Sequence, residues 1–427
     1  MKVSAGISKI NGEVFAPTSK SYTHRAIAIG ALSNECIVRK PLLSADTLAT
    51  VAACEKLGAK IEKANGDLHI IGMKGKPSVP DDIIDVKNSG TTLRLMTAIS
   101  SLASGATVLT GDNSIRGRPN QPLLDVLNKL NVEVFSTRNN GCAPIVVRGG
   151  LKGSAAEIDG SMSSQFISAL LMACPLAMGD TVLSVKGQMK SRPYVDITIE
   201  MLKEAGVRIL IDETNGIKFI IPANQKYDLK EYTVPGDFSS ASYLLAAAAM
   251  LGSCIKVHNL FPSKQGDSEI INVLKQMGAE VHWDTEKGVV TVKGKTLKGI
   301  TFDAGATPDL VPTVAVLAAV ADGVTVIGNA KHVRYKETDR LHAMAVELSK
   351  MGIMVKEEPD SLTITGGKLT GADLHGWHDH RIVMSLTLVG MVAGNTTIDT
   401  TESVSISYPS FFDDVRSIGA KIEMLDE

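Results

Sequence analysis

The chain lacks most of what would tie it to a membrane, a metal or an oxidising compartment. Its five cysteines (Cys36, Cys54, Cys142, Cys174, Cys254) are odd in number, widely spaced and form no Cys-x-x-Cys pair. They read as reduced core residues of a cytoplasmic protein rather than a disulfide framework. The longest apolar stretches, Tyr243 to Leu251 and Leu310 to Ala321, are Ala-rich and fall short of the roughly 18 apolar residues of a membrane span. Met1 to Gly6 leads into strand-like sequence with no apolar signal core, so a soluble protein is expected. The formal net charge is only -2. That excludes a global attraction to nucleic acid or an anionic membrane, and any anion binding must come from local clusters of cations.

Nucleotide and metal motifs are missing too. No Gly-x-Gly-x-x-Gly is present, and Gly288 to Thr296, which ends Gly294-Lys295-Thr296, is one residue too long for a phosphate loop. Its centre, Val289-Val290-Thr291-Val292, is strand-like. His378-Asp379-His380 offers adjacent ligands at a helix start, without a matching Cys or carboxylate cluster elsewhere. No metal and no cofactor are expected.

What the chain does have is a repeat. A helix-like stretch, a pivot residue and a strand recur six times, with pivots at Gly58, Asn131, Gly206, Gly278, Gly352 and Gly419. Gly and Asn most readily take the left-handed conformation that ends a helix. The chain therefore reads as six units of about 70 residues each. Each holds a second helix about 35 residues before its pivot, with Val/Ile-rich strands between, giving strand–helix–strand–strand–helix–strand. Three units could pack their helices inward beneath sheets, and six units divide into two domains of three. The expected division is residues 1–18 with 235–427, and 19–234, with a hinge near Tyr232 to Asp237.

The six earlier helices start in runs rich in Ser, Thr, Asp and Gly: Pro17 to Ser21, Asn88 to Thr92, Gly160 to Gln165, Pro235 to Ser240, Gly305 to Asp309 and Trp377 to Arg381. Taken singly, such residues are ordinary N-caps. Helix starts are also ready anion sites, because free N–H groups and the dipole both favour negative charge. Cations sit on or near several of them: Lys20, Arg25, Arg94, Arg116, Arg118, Lys190, Arg192, Arg334, Lys336, Arg340 and Arg381. In a nearly neutral chain this clustering points to a basic cleft for a small, multiply charged anion. The sharpest break in the repeat is Arg334-Tyr335-Lys336-Glu337-Thr338-Asp339-Arg340. Read plainly it is a solvated, salt-bridged cap. Beside a basic cleft it also supplies a Lys–Glu proton-transfer couple and an Arg fork suited to carboxylate or phosphate.

These residues resemble a known family. Pro17-Thr18-Ser19-Lys20-Ser21 with Arg25, Asn88 to Arg94, Ser163-Ser164-Gln165-Phe166, Lys336-Glu337-Thr338-Asp339-Arg340 and Asp379-His380-Arg381 look like the signatures of the EPSP synthases, the 3-phosphoshikimate 1-carboxyvinyltransferases. The match runs from the first unit to the last in the family's order. The resemblance implies an α/β fold of two hinged domains, each of three βαββαβ repeats with inward helices, an inside-out α/β barrel closing over substrates in the cleft. It implies transfer of the enolpyruvyl group of phosphoenolpyruvate to the 5-hydroxyl of shikimate 3-phosphate, releasing phosphate, in aromatic amino-acid biosynthesis. No cofactor is implied, and the partners are small-molecule substrates, with no nucleic acid, no membrane and a monomeric chain.

Carried over by position, the resemblance assigns Ser21, Arg25, Ser163, Ser164, Gln165, Ser191, Tyr194, Asp309, His332 and Lys336 to shikimate 3-phosphate. Gly90, Arg118, Gln165, Arg340, His380 and Arg381 fall to phosphoenolpyruvate, and Lys20 to both. Asp309 would take the 5-hydroxyl proton and Glu337 would protonate the enolpyruvyl methylene, with Lys20 and Lys336 supporting the charge. The herbicide glyphosate occupies the phosphoenolpyruvate pocket in relatives. Three positions depart from the family pattern: Ser405-Ile406-Ser407-Tyr408 stands where a Lys often precedes the Pro matching Pro409, Leu95 replaces a frequent Pro, and His332 replaces a usual Asn. A sister transferase acting on UDP-N-acetylglucosamine would be expected to carry Lys-Asn at Lys20-Ser21 and a Cys in the loop Asp112 to Arg118. A non-catalytic sensor of phosphorylated metabolites would need the cations without Asp309 and Glu337.

Overall fold

Apolar periodicity alternates along the chain between the two-residue rhythm of strands and the 3.6-residue rhythm of helices, and the structure follows it. The computed structural model describes residues 1–425. Among these are twelve α-helices, two per repeat. They are α1 (Lys20–Leu32) and α2 (Ala45–Lys56), α3 (Gly90–Ser100) and α4 (Gln121–Lys129), α5 (Ser164–Ala173) and α6 (Arg192–Glu204). Then come α7 (Phe238–Met250) and α8 (Ile270–Gln276), α9 (Val311–Ala319) and α10 (Arg340–Lys350), α11 (His380–Ala393) and α12 (Phe411–Ser417). Every pivot ends an even-numbered helix in the left-handed region: φ is 108° at Gly58, 66° at Asn131, 78° at Gly206, 101° at Gly278, 87° at Gly352 and 109° at Gly419.

The strands make six four-stranded sheets of one pattern. In the second repeat, Ile84–Asp85 pairs parallel with Ala106–Thr110. Ala106–Thr110 and Glu133–Ser136 each pair antiparallel with Ile145–Arg148. A single strand separates the two helices and two strands follow the second, so the order along the chain is β–α–β–α–β–β. The α/β repeat stands as read, but its strand order needs this one correction. The segment after the first inter-helix strand, such as Gly111 to Asn120, is a turn rather than a second strand. The additional Val/Ile-rich strand belongs to the hairpin that follows each pivot. Val289–Lys293 is such a strand and no phosphate loop.

The chain divides into two compact units, Met1–Ser19 with Pro235–Glu427, and Lys20–Val234. Strand pairing explains the discontinuous one. Asn11–Phe15, which precedes α1, pairs with Cys254–His258 of the fourth repeat. Lys2–Ala5 fills the sixth sheet between Thr396–Ile398 and Ile422–Leu425. Reciprocally, Glu231–Thr233, which precedes α7, completes the sheet of the first repeat beside Glu35–Arg39.

In the Lys20–Val234 unit the odd helices α1, α3 and α5 are buried almost all round. In the other unit α7, α9 and α11 are buried likewise. Helices apolar or small on every face belong in a core, and here each set of three lies within one continuous apolar cluster. The even helices keep a polar face. Leu123, Leu124, Val126 and Leu127 of α4 turn inward, for example, while Gln121 and Asp125 stay exposed. Cys36, Cys54, Cys142 and Cys174 are buried, and Cys254 is exposed. Burial pushes the thiols of Cys36, Cys54 and Cys174 up to about 12.

Candidate active site

The candidate residues form two groups, one in each unit, most of them at or near helix N-termini. In the Lys20–Val234 unit, Lys20 opens α1, and its ammonium lies 3.0 Å from the buried carboxylate of Asp46. One turn on, Arg25 is 3% exposed, and its guanidinium donates to neutral oxygens. These are the carbonyls of Ser21 and Tyr194 (both 2.9 Å), the Thr198 hydroxyl (2.8 Å) and the Ser168 hydroxyl (3.3 Å). Burial pulls its pKa down to about 10, and a cation set among neutral dipoles is prepared for an anion. Those bonds draw together α1, α5 and α6, whose starts carry Ser163, Ser164 and Ser191. Ser163 caps α5 by accepting from the Gln165 N–H, and Ser191 takes the left-handed conformation (φ 53°) ahead of α6.

The start of α3 makes the second part of this group. Ser89 caps it, accepting from the Thr92 N–H. Gly90 follows, with Arg118 Nη1 and Arg94 Nη1 only 2.9 and 3.0 Å from where a Cβ would stand. Gln165 accepts from Arg94 (2.6 Å) and donates to the Thr91 hydroxyl (2.9 Å). Arg118 donates to Asn88 (3.1 Å) and Ser114 (2.9 Å). A helix start, a glycine and two buried guanidiniums so placed can hold a carboxylate or phosphate close to backbone N–H groups.

In the other unit Arg340 is the hub, only 1% exposed at the first residue of α10. It donates to three carboxylates: Asp379 (2.8 and 3.2 Å), Asp309 (3.0 Å) and Glu337 (2.7 Å). Asp309 also accepts from Arg381 at 2.8 Å and lies 3.7 Å from the Lys336 ammonium. Burial would raise its pKa, but Arg381, Lys336 and Arg340 outweigh it and hold the carboxylate well below the usual range. Enclosure pulls the Lys336 ammonium down, against the opposing pull of Asp309. The two candidates for proton transfer, Asp309 and Glu337, thus share one guanidinium. Asp379 caps α11 by accepting from the Arg381 N–H at 2.8 Å. His380, at the first position of α11, and His332, in a 3-10 turn, are both buried.

Several residues that shape these groups escaped the sequence reading. Asp46 lies inside a capping box formed by Ser44 and Thr47. Asn120 accepts from Arg94 Nε at 3.2 Å. His24, fully buried, bonds Thr50 at 2.7 Å, and Thr50 meets Thr92 at 2.6 Å, forming a chain of hydroxyls that ends on the Ser89 cap. Burial and the charges of Lys20 and Arg25 hold His24 well below the usual histidine range, so it serves as a neutral strut. No signal in the sequence marks it.

Compared with known proteins, the chain matches the family model of EPSP synthase (3-phosphoshikimate 1-carboxyvinyltransferase) over residues 4–415. The chain belongs to the EPSP synthase family. It is 67% identical to a protein of Methanococcoides burtonii named 3-phosphoshikimate 1-carboxyvinyltransferase, over 100% of both chains. A protein of the same name from Methanosarcina acetivorans is 68% identical, again over 100% of both. Among solved structures, an EPSP synthase from Acinetobacter baumannii superimposes with a TM-score of 0.83 at 30% identity, covering 100% of each chain. The family's α/β architecture is therefore that of this chain. Against this frame the departures have a structural setting. Leu95 is a core residue of α3, and Ser407 and Tyr408 are buried ahead of Pro409. Where the family pattern led to the expectation of a lysine, this chain has the buried Tyr408.

Proposed function

We propose that this member of the family transfers the enolpyruvyl group of phosphoenolpyruvate to the 5-hydroxyl of shikimate 3-phosphate. The observation that carries the residue assignment is the Arg340 hub, which holds two carboxylates, Asp309 and Glu337, on one guanidinium. Arg25, with Ser163, Ser164 and Ser191 at the neighbouring helix starts, takes the sugar phosphate. Gly90, Arg118 and Gln165 take phosphoenolpyruvate together with Arg381 and His380. Lys20 contacts both substrates.

The chemistry follows from charge. The 5-hydroxyl oxygen attacks C2 of phosphoenolpyruvate while its proton passes to Asp309 and Glu337 delivers a proton to C3. The resulting tetrahedral adduct loses phosphate as the C2–O bond to the phosphate breaks, the proton held by Asp309 leaving with the phosphate, and Glu337 takes back a proton from the new methyl group, leaving the enol ether. Asp309 among three cations is too weak a base to begin this step. Phosphoenolpyruvate brings its own anionic groups to Arg381 and Arg340. It thereby draws those cations away from Asp309 and raises its basicity. Substrate binding arms the base.

The relatives above are named for shikimate, and the loop Asp112 to Arg118 holds no cysteine, which supports shikimate 3-phosphate over a UDP-sugar acceptor. The reading includes a monomer acting on small molecules. Among the described residues no helix is long and apolar enough to cross a membrane, in keeping with work in the cytoplasm. Phosphate release from phosphoenolpyruvate with each acceptor is the test. Release with shikimate 3-phosphate alone supports the reading, and release with only UDP-N-acetylglucosamine would overturn it.

A further inference from the structure

Outside the residues assigned above, one buried carboxylate is placed to act on the site through its backbone. Glu347 is 0% exposed on α10, two turns beyond Arg340. Its cation partner, Lys350 (2.8 Å), is itself 42% exposed. The remaining contacts of Glu347 all go to the loop that leads into α11. Oε1 accepts from the Trp377 indole N–H at 2.9 Å, and Oε2 accepts from the His375 backbone N–H at 3.0 Å.

That loop is strained. Trp377 and His378 are consecutive left-handed residues, with φ of 56° and 50°, a conformation that bulky side chains hold only where the surroundings impose it. The surroundings do so from both sides. Asp399 accepts from His375 Nδ1 (2.8 Å) and from the Gly376 N–H (2.8 Å), and the Thr400 hydroxyl accepts from the His378 N–H (3.3 Å). Gly376 has no room for a side chain, since a Cβ there would stand 2.4 Å from Val383 and from Thr400. Directly after the strained pair come Asp379, His380 and Arg381, the cap of α11 and two proposed contacts of phosphoenolpyruvate.

We infer that Glu347 is a positioning residue: it holds Trp377 and His378 left-handed and so sets the direction in which α11 presents His380 and Arg381. The inference rests on the assignment of those two residues to phosphoenolpyruvate. A carboxylate suits the task because both oxygens must accept. In Glu347→Gln the amide N–H₂ would face a donor, either His375 N–H or the Trp377 indole. Trp377→Phe removes the same indole bond and keeps the ring.

The test is a double-mutant cycle on the full chain. Glu347→Gln and Trp377→Phe should each raise KM for phosphoenolpyruvate about tenfold, the scale of losing one hydrogen bond to a charged group. KM for shikimate 3-phosphate should stay within about twofold, and the double variant should be no worse than the poorer single, since both remove one shared contact. A lowered thermal midpoint with KM for phosphoenolpyruvate unchanged would mean that Glu347 is only structural, and would overturn the inference. A readout free of substrate separates this from failure of the functional reading. Amide exchange over residues 374–384 should quicken in both variants, whatever the wild type catalyses. Unchanged exchange there would sink the positioning role. Should Glu347→Gln fail to fold, Trp377→Phe alone decides by the same two readouts.

Discussion

Adding one methyl group at Gly90 is the sharpest perturbation of the proposed phosphoenolpyruvate pocket. A Cβ there would stand 2.9 Å from Arg118 Nη1 and 3.0 Å from Arg94 Nη1, roughly 0.5–1 Å inside an ordinary contact. Both neighbours are side-chain ends, so they can yield, but neither is slack. Arg94 is tied to Gln165 at 2.6 Å and Asn120 at 3.2 Å and lies over the Phe166 ring. Arg118 is tied to Asn88 and Ser114. Overpacking of this kind costs about 1–3 kcal/mol, and here the strain falls on the anion-binding guanidiniums rather than on the core. Gly90→Ala should therefore raise KM for phosphoenolpyruvate about fivefold. The longer inhibitor glyphosate should lose more than about 2 kcal/mol, close to 30-fold in its inhibition constant. The thermal midpoint should hardly move. Michaelis and inhibition constants on both proteins at saturating shikimate 3-phosphate measure this. Equal losses for both ligands would refute the size argument, and a changed KM for shikimate 3-phosphate would refute the placement.

Three further outcomes are expected. Lys20→Met and Glu337→Gln should each lower kcat by roughly 10²-fold or more, the usual scale for a positioned acid or base; a variant within about threefold of wild type removes that residue from the chemistry. Asp309 has its folded pKa depressed, so its stabilising contribution is fully present above the unfolded value of about 3.9 and fades as pH falls toward the folded one. Asp309→Asn, which takes one of three carboxylates from Arg340 and removes the charge that accepts from Arg381, should lose about 2 kcal/mol at pH 7, a buried-pair figure discounted because Asp309 keeps 16% exposure. The gap should narrow below about pH 4 in thermal melts, and a gap independent of pH would contradict the ion-pair reading. Iodoacetamide on the native protein should label Cys254 and spare the four buried thiols, as peptide mass mapping would show; labelling of Cys54 or Cys174 would contradict the described core.

How much of this was readable beforehand depended on whether the cause was local. Each pivot residue announces a helix end by its own backbone preference, and six left-handed pivots follow from six short strings. The caps of α3, α5, α7 and α11 are equally local, as are the cations beside them. The exchange of Asn11–Phe15 and Glu231–Thr233 between sheets was not readable, because partners 190 or more residues away leave no pattern in either strand. The single strand between paired helices was missed because the Val/Ile-rich segments had no marker saying which side of the pivot they served. In the site, Lys20 and Arg340 stood out by charge, as did Glu337 beside Arg340, but the counter-ion of Lys20 did not. Asp46 hides in a capping box. Glu347, three residues before Lys350, reads as one half of a surface pair, yet it is fully buried.

The proposed reaction is an addition and elimination in which the carboxyl group of Glu337 protonates C3 of phosphoenolpyruvate. Its most direct test is the proton NMR spectrum of the product formed in deuterium oxide from shikimate 3-phosphate and phosphoenolpyruvate. Delivery of a solvent-derived proton to C3, followed by loss of one of three methyl hydrogens, predicts an enol ether whose vinyl methylene carries deuterium. Glu337→Gln should form it at least about 10²-fold more slowly. No enol ether at all, or one whose methylene stays fully protonated through complete turnover, would contradict the account.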